Sequence, residues 1–588
     1  MSLLSDLTAI VTAGFVAAGL DASFGAVQVS DRPDLGQFQC NGALSAARSA
    51  GRNPRDIARQ VVTQIEGDHR LASVSIAGPG FINLTVTGRT LAGCMDAMAG
   101  DERLGVSPVE HPLKVIVDYA GPNVAKAMHV GHLRATIIGD TVARLFRFAG
   151  HDVLGDVHFG DWGLQMGMLI VATRRRRPDL AHFFDRSYEG PYEEPGALTL
   201  ADLQEWYPEM ARQVAEDEAV AAEARQATTD LQSGRPGYVA LWEHFVRVSR
   251  ASQERDFSDL GVEFDLWYGE STVRDLLRPL VDEALAGGIA VRSDGAVVIE
   301  VGRPEDKAEI TPLVLETSHG AFLYGTTDVA TIQMRVTELG AELILYVVDA
   351  RQSYHLEQVF RAARRAGVSG RASMEHIGFG TMNAPDGTPF KTREGGVLRL
   401  GDLIEMVTDA AAARLEESDL ATRYSGEERA VIARQVGIAA LKFGDLVNNR
   451  TSNYVFDLRR FTALEGKTGP YLQMAAVRMD SILARADRQG LAPGAVLPPH
   501  HETETRLVLR LLQLSEAIDR ALELRAPNHL AEFAYEVAAD FSRFYEACHI
   551  LTEPDPGLQA SWLEMVRTAR RTLELLLDLL GIEVPARM

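Results

Sequence analysis

The sequence predicts a multidomain chain of class α/β plus all-α. Three observations carry this. Its 588 residues, 46% apolar and 24% charged, have ordinary globular composition but exceed one domain. Strand-like and helical segments alternate over residues 114–380, which implies a parallel, doubly wound sheet. From about Asp402 onward the strand signal disappears and only helical patterns remain. The expected division is 1–108, an N-terminal α+β module; 109–401, a Rossmann-like domain with insertions; and 402–588, a C-terminal α-helical bundle.

The first module opens on an amphipathic segment, MSLLSDLTAIVTAGFVAAGL, which has no basic leader and carries Asp6, so it reads as a helix of a folded domain. Residues 41–50 and 53–66 are helical patterns. Residues 71–76 and 81–86 alternate like paired strands joined by Ala77-Gly78-Pro79-Gly80. In the second domain, KVIVDY (114–119) is a buried strand and Gly121-Pro122-Asn123 breaks it. Apolar residues then recur at helical spacing from His132 to Ala149, and residues 151–159 read as the next strand. Residues 178–255, rich in Ala, Glu and Arg, read as a helical insertion. Residues 256–270 and 290–301 bring strand character back, residues 321–338 run from strand into helix, and LILYVV (343–348) is the most strand-like hexamer. Beyond 402, residues 403–415, 427–443, 471–488, 502–523, 529–547 and 562–580 are helical patterns.

No run of about 18 apolar residues is present, so no membrane span is expected. Cys40, Cys94 and Cys548 lie far apart, which argues against zinc and disulfides and fits a reducing cytoplasm. The net charge of −22 disfavours a simple nucleic-acid module, although contact along one basic surface stays open because binding depends on local patches.

Chemistry concentrates where the strands end. His129-Val130-Gly131-His132 opens a helix, whose free N–H groups and partial positive charge suit phosphate, and Gly131 allows close approach. Composition alone yields His-x-Gly-His roughly 0.03 times in such a chain. A pair of half-buried capping histidines is the bland alternative. Further polar residues at strand ends are Asp118, Asn123, Lys126, His158, Asp161, Gln165, Tyr324, Asp328, Asp349, Arg351, Gln352 and His355. The segment DGTPFKTREGG (386–396) has turn residues at both ends and basic residues between, as a phosphate-binding loop needs. The set suggests a nucleotide bound beside a cationic small molecule.

PNVAKAMHVGH, GDWG, FLYGTTD, YVVDARQSYH, DGTPFKTREGG and KTGPYLQ, in that order, resemble the arginyl-tRNA synthetases, a family of class I aminoacyl-tRNA synthetases. FQCNGALSAA, GPGFINLTV and LGIEVPARM extend the resemblance to both ends. The resemblance implies an arginine–tRNA ligase: ATP–Mg²⁺ and L-arginine form arginyl-adenylate, and the arginyl group passes to the terminal adenosine of arginine tRNA. It implies tRNA contacts in 1–108, anticodon binding in 402–588, and a cytoplasmic monomer with no resident metal. It implies that His129, Gly131, His132, Lys126 and Lys391 bind ATP, with His129, His132, Lys126, Lys391 and Arg393 assisting the chemistry. Arginine falls to Asp118, Asn123, His132, Tyr324, Asp328, Gln352 and Glu270. The stretch PFKTR departs from the lysine-rich loop usual in class I enzymes.

Overall fold

The computed structural model describes residues 2–196, 198–384, 386–388, 398–417 and 424–588. It forms two compact units. One is Val109–Thr462 with Leu579–Gly581; the other is Met1–Pro108 with Ala463–Asp578 and Ile582–Met588.

The first of these holds a four-stranded sheet built from β1 (Lys114–Tyr119), β2 (Asp152–Asp156), β3 (Leu343–Val347) and β4 (Ser373–His376). The order across it is β4-β3-β1-β2, and every pair is parallel. β3 is buried throughout and β1 at every residue but Lys114, which explains their near-continuous apolar runs. Helix α1 (Val130–Phe148) connects β1 to β2. It packs so closely on β1 that a Cβ at Gly139 would lie 2.3 Å from the Tyr119 side chain. Helix α2 (Tyr324–Thr337) precedes β3, and α3 (Ser353–Arg365) joins β3 to β4. Val329, Ile332, Ile344 and Val359 share the buried core between them.

The insertion expected over 178–255 is helical: Leu200–Glu216, Glu218–Gln232 and Pro236–Asp259 pack with the preceding helix Leu164–Arg176 around Leu169, Trp206 and Phe245. Arg174 to Arg177 pair with Glu223, Glu209 and Asp179. Two strand expectations differ. Residues 256–259 finish a helix, and 266 and 269 only bridge in parallel to Asp156, the last residue of β2, and to Phe159 beyond it. Residues 290–293 and 296–299 form an antiparallel hairpin with 313–316, outside the parallel sheet. Two-residue turns such as Asp294-Gly295 make hairpins, which an alternation of strand and helix does not reveal. The described residues 402–462 pack in this unit: α4 (Gly426–Leu446) lies against Leu400–Glu416 and α1.

The other unit is built from both parts of the chain. Its four-stranded sheet is antiparallel, adding strands at 27–29 and 38–40 to the expected pair, observed at 71–77 and 81–86. Those two strands have three residues each, too short for a periodic signal. Its later helices are Gly469–Arg488, Glu502–Leu511, Leu514–Leu524, Asn528–Ala547 and Pro556–Leu579. The two parts meet where Arg571 donates to the carbonyl oxygens of Ala99 and Asp101, and where the Val496 N–H donates to Asp96. Among the described residues no helix is long and apolar enough to cross a membrane.

Candidate active site

A cavity of about 840 Å³ opens at the carboxyl ends of β1 and β3, where a doubly wound sheet places its ligands. One wall is the start of α1. His129 is the N-cap: its Nδ1 accepts from the Gly131 N–H at 3.0 Å, and His132 Nδ1 accepts from the His129 N–H at 3.1 Å. The rings lie 4.0 Å apart. With both Nδ1 atoms accepting, each neutral ring carries its proton on Nε2, free to donate. Burial, together with His129, pulls His132 down to about 3, and burial and Lys126 lower His129. Both imidazoles are therefore neutral donors near pH 7 rather than cations. Gly131 is required here, since a Cβ would meet the His129 ring at 2.7 Å.

The cavity floor is a buried charge network. Arg335, fully buried on α2, donates to Asp118 of β1 at 2.7 Å and to Asp156 of β2 at 2.6 Å. His158 lies beside them, its Nδ1 3.7 Å from Asp156. Burial opposes a charge on His158, but the Asp156 and Asp118 carboxylates outweigh it and hold the imidazole up at about 9. Asp118, Asp156 and His158 are close enough to share a cation, yet Arg335 already bonds both carboxylates. Backbone strain gathers at the same strand ends: Ala120, Ala125 and His158 are non-glycine residues with positive φ.

The far wall is anionic. Asp328 sits one turn after Tyr324 on α2, and its Oδ2 is 2.5 Å from His355 Nε2. The rings of Tyr324 and His355 lie 4.5 Å apart, and Tyr324 is 61% exposed, open to a ligand. Glu270 follows the bridged segment beside β2, accepts from the Trp162 N–H at 3.3 Å, and is pushed up to about 7 by burial. Asp161, also buried, is held by Ser271 and does not line the cavity.

Of the residues singled out from sequence, Asp118, His129, Gly131, His132, His158, Glu270, Tyr324, Asp328, Asp349, Arg351, Gln352 and His355 line this one cavity. Lys126 and Asn123 are not among its lining residues. The Lys126 ammonium lies 4.6 Å from the Tyr207 ring, and the Asn123 carbonyl accepts from Gln253. Lys391 and Arg393 fall outside the described residues. Sequence reasoning missed Arg134, Asp156, Arg335 and Tyr346. The one available signal for Arg335 is its place on the helical stripe of Tyr324 and Asp328.

Residues 95–458 match the profile of the catalytic domain of class I tRNA synthetases (R), residues 472–588 the DALR anticodon binding domain, and residues 4–86 the arginyl tRNA synthetase N terminal domain. The arginine–tRNA ligase of Maricaulis maris (strain MCS10) is 46% identical over 588 residues, covering all of both chains. This chain belongs to the arginyl-tRNA synthetase family. The arginine–tRNA ligase of Alkaliphilus oremlandii (strain OhILAs) is 43% identical, again over all of both chains. Solved structures of arginyl-tRNA synthetases share the fold. That of Plasmodium falciparum has a TM-score of 0.82 at 22% identity, covering 100% of this chain and 99% of that one. That of Thermus thermophilus has 0.80 at 23%, covering 100% of each. As a member of this class I family, the protein is an aminoacyl-tRNA ligase that takes ATP as a substrate.

Proposed function

We propose that the cavity activates L-arginine with ATP–Mg²⁺ and passes the arginyl group to the terminal adenosine of arginine tRNA. The observation that carries this is one cavity lined by two unlike sets of groups: neutral imidazole donors at a helix N-terminus, and the carboxylates of Asp118, Glu270 and Asp328. The first set suits phosphate, because the helix start and the two Nε2–H groups all offer donors to an anion. The second suits a guanidinium, whose fork of N–H groups matches a carboxylate in a way an ammonium cannot.

In this reading the arginine carboxylate attacks the α-phosphorus of ATP and pyrophosphate leaves. A ribose hydroxyl of the tRNA terminus then attacks the arginyl carbonyl, and AMP leaves. The protein supplies no nucleophile; it orients reactants and meets developing charge with fixed donors. His129, Gly131 and His132 take the phosphates, with Lys126, Lys391 and Arg393 as the cations available to pyrophosphate. Asp328, Tyr324 and Glu270 take the guanidinium, and Asp118 and Gln352 the amino-acid end. Asp118 shares its carboxylate with Arg335, so it contributes one oxygen at most to the substrate. The unit formed by the two ends of the chain holds the tRNA, and the enzyme works as a cytoplasmic monomer. Its three free cysteines fit that compartment.

Charging of total tRNA with each of the twenty amino acids tests the reading. Acid-stable incorporation with arginine alone is expected; incorporation of another amino acid at a comparable rate overturns it.

A further inference from the structure

Tyr324, Asp328 and Arg335 occupy one stripe of α2, since offsets of four and eleven residues return to the same face of a helix with 3.6 residues per turn. The upper end of the stripe faces the cavity, where Tyr324 and Asp328 line it. The lower end is sealed: Arg335 is fully buried and bonds Asp118 and Asp156, the last or next-to-last residues of β1 and β2. Seven residues of helix, about 10 Å of rise, separate Asp328 from Arg335. Asp118 both bonds this guanidinium and lines the cavity, and the Tyr346 ring, 5.4 Å from the guanidinium, lines it too.

We propose that Arg335 is a positioning residue that sets the length of the amino-acid subsite. It pins the lower end of α2 to the sheet through Asp118 and Asp156, and so fixes how far Asp328 stands from Asp118. A helix is stiff along its axis, so pinning one end places the other. One guanidinium nitrogen, Nη2, bonds the carboxylates of both adjacent strands at once, and a lysine ammonium, ending one bond nearer its backbone, falls short of that position. Removing one partner of such a buried group leaves an uncompensated charge, so the site cannot relax to a second arrangement at low cost. Arg335 itself, fully buried, touches no substrate. This inference rests on the placing of the arginine guanidinium at Asp328 and of its amino end near Asp118.

The test is the preference for arginine over two length homologues. L-Homoarginine is one methylene longer and L-2-amino-4-guanidinobutanoate one methylene shorter. Full-length enzyme is assayed by ATP–pyrophosphate exchange with tRNA present. In Arg335→Lys the ratio of kcat/KM for arginine to that for at least one homologue falls about tenfold, the scale on which an enzyme senses a methylene. KM for ATP stays within about twofold, which a general loss of structure would not spare. Asp156→Asn, which leaves the Arg335–Asp118 bond in place, moves the ratio the same way by less. Folded Arg335→Lys with both ratios unchanged overturns the inference; if that variant does not fold, unchanged ratios in Asp156→Asn do so. Asp328→Ala, measured alongside, separates the two failures. If it keeps wild-type arginine kinetics, the placing of arginine falls and this inference with it. If it loses arginine while Arg335→Lys keeps its ratios, only the length-setting role falls.

Discussion

Glu270 is the residue whose ionisation reports on the site at ordinary pH. Burial raises its carboxyl from 4.5 to about 7, with Asp161 and Asp328 adding to the rise and His158 and the Trp162 N–H opposing it. A carboxyl raised on folding makes a contribution to stability that is present in full below its unfolded value and is lost as pH rises through 7. For binding the sign is opposite: a guanidinium needs the ionised form. Arginine kcat/KM is therefore expected to rise through pH 7 and level off above it. Glu270→Gln flattens that rise in a pH profile, while the profile for KM of ATP keeps its shape. A second residue-scale result is what the sequence could not supply. Arg335 bonds partners 217 and 179 positions away, and no local pattern in an apolar helix marks a buried arginine as paired with two strands. Asp118 and Asp328 were legible because they sit where strands end and helices begin; their mutual arrangement was not.

The element that carries the nucleotide chemistry is the first turn of α1. Its capping bonds run between two imidazoles and two backbone N–H groups, so each part depends on the other. His132→Ala removes a donor to the phosphates and also frees the His129 N–H, and adenylate formation is expected to slow by about a hundredfold or more. The measurement is single-turnover adenylate formation, with arginine affinity by equilibrium binding as the control that stays near wild type. Elements were read from sequence well where periodicity is long, as in α1, α2 and β3. They were read poorly where tertiary contacts decide. Residues 256–270 have strand-like composition, but their first part completes a long helix and the rest is held by isolated bridges to the end of β2. The helical pattern at 427–443 was legible, while its packing against α1 in the unit with the parallel sheet was not. A helix pattern shows an apolar face without showing what covers it.

At the scale of the whole molecule, the unit that contains no part of the parallel sheet draws on both 1–108 and 463–578. The match to an N-terminal synthetase domain, 4–86, falls within the first stretch, and most of the match to an anticodon binding domain, 472–588, falls within the second. A net charge of −22 means that tRNA contact depends on local basic surface, and such contact weakens as counterions compete. The KM for tRNA is expected to rise steeply with salt between 50 and 200 mM, by about tenfold or more, while the KM for arginine, held in a partly buried site, changes little. Parallel titrations of the two constants check this. Equal salt slopes would contradict the separation of tRNA binding from amino-acid binding.

In the proposed reaction Asp328 anchors the arginine guanidinium in the cavity that also takes ATP. Steady-state ATP–pyrophosphate exchange by Asp328→Ala in the presence of tRNA tests it most directly. The expected result is that kcat/KM for arginine falls by about a hundredfold or more, as loss of a partly buried charged partner should, while KM for ATP stays close to wild type. Wild-type kcat/KM for arginine in the folded variant would contradict it.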